Sequence, residues 1–245
     1  KQAIALVARR GLAMESLELP DAGAMAAVNS DAETVRAKIA GIDGVVVANV
    51  NQPRQVTISG TTPAVEEAIA VLKAAGLGAQ RLSVSHAFHS PLMRGLRAKM
   101  AELTKGLSLS APRHLVLSCI AGVPHDGDDT KSRMIMLDHA TAPVEFQRAL
   151  ELAKDAGARI FLQLGAGGTL TSFAKATLGK ADVSALSLAS VERDGGLEVV
   201  RGLATLAALG VPVDFVPLFP EAARGVVDLP TTPLLREPYW VTKDE

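Results

Sequence analysis

The chain has 245 residues, of which 48% are hydrophobic, and its 25 basic and 26 acidic side chains leave a formal net charge of −1. This composition excludes a disordered chain and argues against a general nucleic-acid binder, and no run reaches the roughly 18–20 apolar residues of a membrane helix. The single cysteine, Cys119, excludes an internal disulfide. We therefore expect a soluble cytoplasmic protein that binds neither nucleic acid nor membrane.

Helical and strand patterns alternate over the first 84 residues. The predicted elements are a helix over 2–14, a strand over 23–28, a helix over 31–41, strands over 44–50 and 55–60, a helix over 61–76 and a strand over 78–84. Thr62 is expected as the N-cap of the helix over 61–76, with Pro63 at its first position. After the first helix, the order β-α-β-β-α-β is that of a ferredoxin-like unit.

From residue 85 onward, strands alternate one by one with helices, which is typical of a parallel sheet. A helix is expected to begin at Ser90 and Pro91, with Ser90 as its cap. The further predicted elements are a buried strand over 114–120, a polar loop over 124–132, a helix over 143–157, a buried strand over 159–168, a helix over 169–179, a strand over 183–190 and a helix over 196–210.

The predicted fold is α/β: an α/β-hydrolase-like body with a parallel sheet, into which a ferredoxin-like (βαββαβ) subdomain is inserted. The predicted domains are the body over 1–21 and 85–210, the subdomain over 22–84, and a Pro-rich surface linker over 211–245. Substrate sites often lie in the cleft between two such lobes. Two of the five histidines lie where the subdomain rejoins the body.

Those two histidines are the first candidates for chemistry. His89 immediately precedes a predicted helix start, and a helix N-terminus lowers the pKa of an imidazole, so a neutral ring could act as a general base. Alternatively, His86 and His89 only cap or pack at a domain junction. We expect no metal site, because two histidines three residues apart need further ligands.

Two adjacent arginines on the first predicted helix are the next candidates. Either Arg9 or Arg10 could hold a carboxylate in a bidentate fork, and both could equally face solvent. No G-x-S-x-G run occurs in the sequence, so no nucleophilic serine can be assigned within these residues.

Several segments together resemble the acyltransferase domain of type I polyketide synthases, kin of the malonyl-CoA:acyl-carrier-protein transacylases. In family order, the segments are LVARRGLAM with GAMAAV, VVVANVNQPRQVTISG, VSHAFHSPLM, APVEF and FLQLGAGGTL. The most specific is SHAFHSPLM. The run LPTTPLLREPYW resembles the linker that follows this domain in the synthases.

The resemblance implies a ping-pong acyl transfer without a bound metal or redox cofactor. A serine attacks malonyl-CoA, and the malonyl group then passes to the phosphopantetheine thiol of an acyl carrier protein. It implies that His89 is the base, that Arg10 holds the malonyl carboxylate and that Phe88 fills the space an α-methyl group would need. His86, in the same run, is assigned to the substrate-binding residues, with packing alone as the alternative. The implied partners are the carrier protein, a CoA thioester, the adjacent ketosynthase and other synthase domains.

The sequence departs from the family pattern at two places. Gly165 is followed by Ala166 where the family usually has Gly-Pro. The family's serine motif, which precedes the carboxylate-binding arginine, does not occur in this sequence. We therefore expect the serine to lie outside these 245 residues and residues 1–245 alone to lack transacylase activity. The alternatives are a serine-less, non-catalytic scaffold or docking domain of a synthase, and an acyl hydrolase that uses the same dyad.

Overall fold

The computed structural model describes residues 2–120, 122–125, 127–165, 167–179, 183–188, 195–221, 228 and 230. Helices and strands alternate along these ranges, which confirms the predicted α/β class. No helix within them is long and apolar enough to cross a membrane. The interpretation of 211–245 as a linker falls largely outside the described residues. Its described part contains a 3₁₀ turn, Val216–Leu218.

The first third of the chain forms the predicted ferredoxin-like unit after an initial helix. The elements are α1 (Gln2–Glu15), β1 (Ala24–Val28), α2 (Ala32–Ile39), β2 (Val45–Gln52), β3 (Gln55–Gly60), α3 (Thr62–Ala74) and β4 (Ala79–Arg81). The sheet order is β4-β1-β3-β2, and all three neighbouring pairs are antiparallel. This arrangement confirms the inserted unit that the element order predicted.

Small and β-branched side chains explain why this unit packs tightly. Val28, Val56 and Ile58 have no exposed area and share a core with Leu72 of α3. The cap of α3 is Thr61, one residue before the predicted Thr62, because the Thr61 hydroxyl accepts a hydrogen bond from the Ala64 N–H at 3.4 Å. A single-residue shift of this kind is common at helix ends.

The body elements follow a 3₁₀ turn, Pro91–Met93. They are α4 (Arg94–Thr104), β5 (Leu117–Ser118), β6 (Val123–Pro124), α5 (Asp129–Asp138), β7 (Val144–Glu145), α6 (Phe146–Asp155), β8 (Ile160–Gln163), α7 (Thr169–Leu178), β9 (Ser184–Ser187) and α8 (Gly195–Ala208). β8 and β9 are parallel, and β7 joins the free edge of β2 in parallel, with Asn49 opposite Val144. The sheet of the inserted unit therefore continues into the body.

Two strands that were predicted to be buried are short and partly exposed. Within 114–120 only β5 is a strand, and Leu115 and Val116 are 59% and 44% exposed. Within 159–168 the strand ends at Gln163, and Leu164 is 77% exposed. An apolar run predicts an extended segment, whereas burial needs neighbouring elements on both faces, and the described elements do not supply them here.

Two local predictions about helix starts are also corrected. The loop predicted over 124–132 contains the start of α5, because the Asp128 side chain accepts a hydrogen bond from the Lys131 N–H at 3.1 Å and caps the helix. The predicted start at Ser90 and Pro91 is confirmed in position, since Ser90 is the N-cap residue of the 3₁₀ turn that leads into α4, but the Ser90 side chain makes no capping bond. Its hydroxyl donates to the Ala87 carbonyl at 2.7 Å, and the chain first makes a 3₁₀ turn.

Three helices of the body pack together beside the inserted unit. α1, α4 and α5 surround a core that contains Leu96 and Met100. The Lys99 ammonium on α4 donates to the carbonyl of Ser16, just after α1, at 2.8 Å, and Arg97 Nε donates to Asp138 Oδ1 at 2.7 Å. These contacts fix the last turn of α1 and the end of α5 relative to each other.

Candidate active site

The segment that returns from the inserted unit to the body is held rigidly at both sides of His89. The Ala87 N–H donates to the Ala22 carbonyl at 2.9 Å, and both Ala87 and Ser90 are buried. Between these anchors His89 adopts a φ of +59°, in the left-handed region that residues other than glycine rarely occupy. Strain of this kind persists only where the surroundings impose it, and it is common at functional sites.

Gly23 makes the close approach of the two segments possible. Its φ is +78°, and a Cβ placed on it would lie 2.5 Å from the Ala87 Cβ and 2.5 Å from the Gly60 carbonyl oxygen. Only a residue without a side chain fits this position. The inserted unit is therefore in direct contact with the segment that carries His89.

The hydrogen bonds of His89 determine which tautomer of its neutral ring is present. Its backbone N–H donates to the Ala140 carbonyl at 2.8 Å, and its Nδ1 lies 3.1 Å from the Ala142 carbonyl oxygen. A carbonyl oxygen can only accept, so Nδ1 carries the proton and Nε2 keeps its lone pair. In this tautomer Nε2 is the basic nitrogen of a half-buried imidazole, which can accept a proton from a nucleophile.

The surroundings keep this ring neutral. Burial lowers the pKa of His89 below its ordinary value of 6.5, and the positive charge of Arg10 lowers it further, whereas hydrogen bonds to the backbone of Ala142 and His139 oppose the change. The direction is the one expected from the sequence, but the cause differs. A 3₁₀ turn and not an α-helix follows His89, and burial is the largest cause of the lowered pKa.

Arg10 reaches this region from α1 through a third residue, His139. Arg10 Nη2 lies 3.2 Å from His139 Nδ1, and the His139 and His89 rings meet edge to face with their centroids 6.2 Å apart. Because a guanidinium only donates, His139 Nδ1 is the acceptor and its proton is on Nε2. Desolvation, Arg10 and His89, in that order, lower the pKa of His139.

Phe88 and His86 flank the same segment. Phe88 is half-buried and packs against the core that α1, α4 and α5 surround. The His86 ring lies 5.8 Å from the Phe88 ring, and its Nδ1 is 3.0 Å from the Ser85 hydroxyl. Arg9 is exposed on α1, so of the two adjacent arginines only Arg10 joins this group.

His139 is the member of the group that the sequence analysis did not identify. The only signal available was its position four residues before the PVEF run. The other candidates do not gather here: His125 faces Ser132, and burial raises the pKa of the Cys119 thiol, which makes it a poor nucleophile. Within the described ranges, no group of three or more potential metal ligands occurs.

This chain is similar in sequence and in structure to known acyltransferases. The acyl transferase domain family matches residues 1–211. Polyketide synthase GfsA of Streptomyces halstedii is 35% identical over 241 residues, a match that covers 98% of this chain and 3% of GfsA.

Two solved structures are similar to this chain. The acyltransferase domain from the second module of the salinomycin polyketide synthase has a TM-score of 0.83 and 35% identity, over 94% of this chain and 53% of that chain. A malonyl-transacylase solved in complex with a type II polyketide synthase acyl-carrier protein has a TM-score of 0.73 and 27% identity, over 84% of this chain and 65% of that chain. The chain thus spans about half of the salinomycin domain and a few per cent of GfsA.

Proposed function

Because the chain belongs to the acyl transferase domain family, we propose that it transfers a malonyl group from malonyl-CoA to the phosphopantetheine thiol of an acyl carrier protein in polyketide biosynthesis. One observation carries this proposal. The His89 ring donates from Nδ1 to the Ala142 carbonyl, which leaves Nε2 as the basic nitrogen, and the adjacent His139 ring contacts the Arg10 guanidinium. A base next to a fixed cation suits an acyl donor that carries a distal carboxylate.

In the first half-reaction, His89 Nε2 takes the proton from the hydroxyl of a serine, whose oxygen attacks the thioester carbonyl of malonyl-CoA. The tetrahedral intermediate expels the CoA thiolate, which takes the proton from His89. In the second half-reaction, the carrier thiol gives its proton to His89 and attacks the serine ester, and the serine oxygen recovers the proton. The hydrogen bond from Nδ1 to Ala142 keeps the ring oriented throughout.

Arg10 is proposed to bind the malonyl carboxylate. Its observed partner is an uncharged ring nitrogen, and no carboxylate among the described residues forms an ion pair with it. A guanidinium that is not neutralised by the protein is available to a substrate anion, and its planar fork matches a carboxylate.

Phe88 and His86 are proposed to contact the acyl donor beside its α-carbon. Packing against the body core holds Phe88 next to His89, so its ring would occupy the space of an α-methyl group. One methyl group is worth about 1–3 kcal/mol, so Phe88 alone gives modest discrimination against methylmalonyl-CoA. His86 is included because its ring packs beside Phe88.

The proposed setting is a cytoplasmic, multidomain synthase with an adjacent ketosynthase. The acyl-carrier-protein complex of the similar malonyl-transacylase supports a carrier protein as the partner. The proposal includes no bound metal or redox cofactor, because acyl transfer through a serine ester needs neither.

The nucleophile is proposed to lie outside these 245 residues, because they contain no G-x-S-x-G motif. We expect residues 1–245 alone to load no malonyl group above the level of a His89→Ala variant. The measurement is an intact-protein mass spectrum before and after mixing with malonyl-CoA. An adduct on residues 1–245 that His89→Ala abolishes would contradict this expectation.

The activity is tested on a domain that joins residues 1–245 to the natural segment preceding Lys1. We expect a malonyl adduct that passes to a carrier protein, and His89→Ala should lower its rate of formation by about 10²–10⁴-fold.

Arg10→Ala should shift the preference from malonyl-CoA towards acetyl-CoA, and Phe88→Ser should widen acceptance of methylmalonyl-CoA. A segment without a serine elbow would favour the scaffold role, and rapid release to water would favour hydrolysis.

A further inference from the structure

We propose that His139 is a positioning residue that orients the Arg10 guanidinium towards the donor carboxylate. This inference rests on the proposed function, and it adds a residue to which neither the sequence nor the resemblance gave a role. The carrying observation is the 3.2 Å contact between Arg10 Nη2 and His139 Nδ1, made between residues 129 positions apart in the chain.

A long arginine side chain needs a fixed partner to present its fork in one direction. Arg10 lies on the half-exposed side of α1, where its side chain would otherwise sample many rotamers. A carboxylate partner would fix it, but it would also neutralise the charge that the substrate must meet. A neutral imidazole nitrogen fixes one N–H of the guanidinium and leaves the whole positive charge for the donor.

The backbone around His139 also holds the catalytic base. His139 follows α5, whose last residue, Asp138, is held by Arg97 at 2.7 Å. The next residue, Ala140, is buried and accepts the backbone N–H of His89, and Ala142 accepts the His89 ring proton. The short segment over 138–142 therefore holds His89, the base, and also carries His139, the partner of Arg10. The distance between His89 and His139 is fixed by the few hydrogen bonds of this segment.

The arrangement requires opposite tautomers in two neighbouring neutral histidines. His89 must carry its proton on Nδ1 because it faces a carbonyl, and His139 must carry its proton on Nε2 because its Nδ1 faces a guanidinium. A His139 ring that only packed on the surface would have no such requirement. The dependence of the His139 tautomer on Arg10 is thus the signature of the positioning role.

The first test uses residues 1–245 themselves and needs no activity. Long-range ¹H–¹⁵N spectra of ¹⁵N-histidine-labelled protein at pH 8 should show His139 as the Nε2–H tautomer and His89 as the Nδ1–H tautomer, with assignments from His139→Asn and His89→Gln. In Arg10→Met, the His139 signals should move towards those of a ring averaging between tautomers. A His139 proton on Nδ1, or His139 signals that Arg10→Met leaves unchanged, would overturn the inference.

The second test measures donor preference in the domain that includes the preceding segment. In His139→Leu, kcat/KM for malonyl-CoA should fall about tenfold, as expected for a lost hydrogen bond to a charged group, while kcat/KM for acetyl-CoA stays within about twofold. His139→Asn should restore most of the malonyl preference, because the Asn Oδ1 can occupy nearly the position of the imidazole Nδ1.

The outcomes separate the two proposals. Equal losses for both donors in His139→Leu, or an unchanged ratio between them, would overturn the positioning role and leave the proposed function standing. A wild-type domain that transfers no malonyl group would overturn the proposed function and, with it, the role of His139 towards the donor.

Discussion

The inserted unit and the body are both rich in apolar residues, yet their strands bury those residues very differently. In the inserted unit, Val56, Ile58 and Leu72 have no exposed area. In the body, every described residue of β9 keeps part of its surface exposed, and Leu164, directly after β8, is 77% exposed. Both regions contain apolar strands, and these strands differ in how many elements surround them.

The number of neighbouring elements explains this contrast. β1 and β3 are each paired on both edges, and α2 and α3 belong to the same core. In the described residues, β8 pairs with β9 alone. A strand with one neighbour cannot bury two faces and an edge, whatever its side chains. We therefore expect the inserted unit to provide most of the stability of this chain, with the candidate site at the border of that stable region.

The largest expected effect tests this contrast directly. Leu72→Ala removes a wholly buried side chain from the core of the inserted unit and should lower the free energy of unfolding by about 2–5 kcal/mol. The matched control, Leu164→Ala in the body, should change it by less than about 0.5 kcal/mol. Urea unfolding followed by circular dichroism measures both. Similar losses of unfolding free energy in the two variants would contradict the expected difference between the inserted unit and the body.

The second effect concerns the contact between the two regions. Gly23→Ala should cost about 2–4 kcal/mol, because a strained φ of +78° is combined with overlap at Ala87 and Gly60. Gly76→Ala is the control: its φ is +77°, but a Cβ there would meet nothing within 4 Å. Thermal unfolding of both variants measures the two losses of stability, and their difference gives the contribution of the steric overlap at Gly23. Equal losses of stability would show that a Cβ at Gly23 does not overlap its neighbours.

The third effect concerns Asp21, which ties the chain before β1 to the start of α3. Its carboxylate accepts hydrogen bonds from the Thr62 N–H and hydroxyl, both at 2.7 Å, and from the Gly23 N–H at 2.8 Å. These bonds hold the pKa of Asp21 below its ordinary value of 3.8. At pH 7, Asp21→Asn should cost about 1 kcal/mol, in the range of a lost charged cap.

The pH dependence of this loss follows from the lowered pKa of Asp21. The stabilisation is fully present above pH 3.8 and is lost as the pH falls through the lower, folded-state pKa. The gap between wild type and Asp21→Asn should therefore be constant above that pH and shrink below it. Asp43→Asn, at an exposed position, serves as the control. A difference in stability between wild type and Asp21→Asn that grew as the pH fell would contradict this prediction.

The smallest effect concerns an ion pair on the surface of the inserted unit. Arg81 on β4 donates to Glu66 on α3 at 2.7 Å, but both side chains are at least half exposed. A double-mutant cycle with Arg81→Ala and Glu66→Ala should give a coupling energy of at most about 1 kcal/mol, which 0.5 M salt reduces. A larger coupling would mean that surface charge, and not only the aliphatic core, stabilises this unit.

The sequence predicted the inserted unit well because its signals are local. Strand patterns and Pro63 near a helix start act within a few residues, and the structure agrees with them to within about one residue at the cap of α3. The body was harder to predict. The acidic run at Asp128 is a helix cap instead of a loop, and the segment around Leu115 is exposed instead of buried.

The candidate site shows the same division. The sequence identified His89 and Arg10 from a motif and a resemblance, but it could not identify His139. That residue acquires its place only because α5 ends beside α1, 129 positions along the chain from Arg10. The tautomer of His89 likewise depends on a carbonyl 53 positions away.

The sequence by itself determined the α/β class and the order of the ferredoxin-like unit, because periodicity and helix caps depend on neighbouring residues, and it made His89 and Arg10 candidates for acyl-transfer chemistry through a resemblance. The tertiary structure alone decided which apolar runs are buried, which nitrogen of each histidine carries the proton, and why the pKa of His89 is lowered by burial and Arg10. Burial, hydrogen-bond acceptors and nearby charges are supplied by residues distant in the chain, so a local sequence pattern does not predict them.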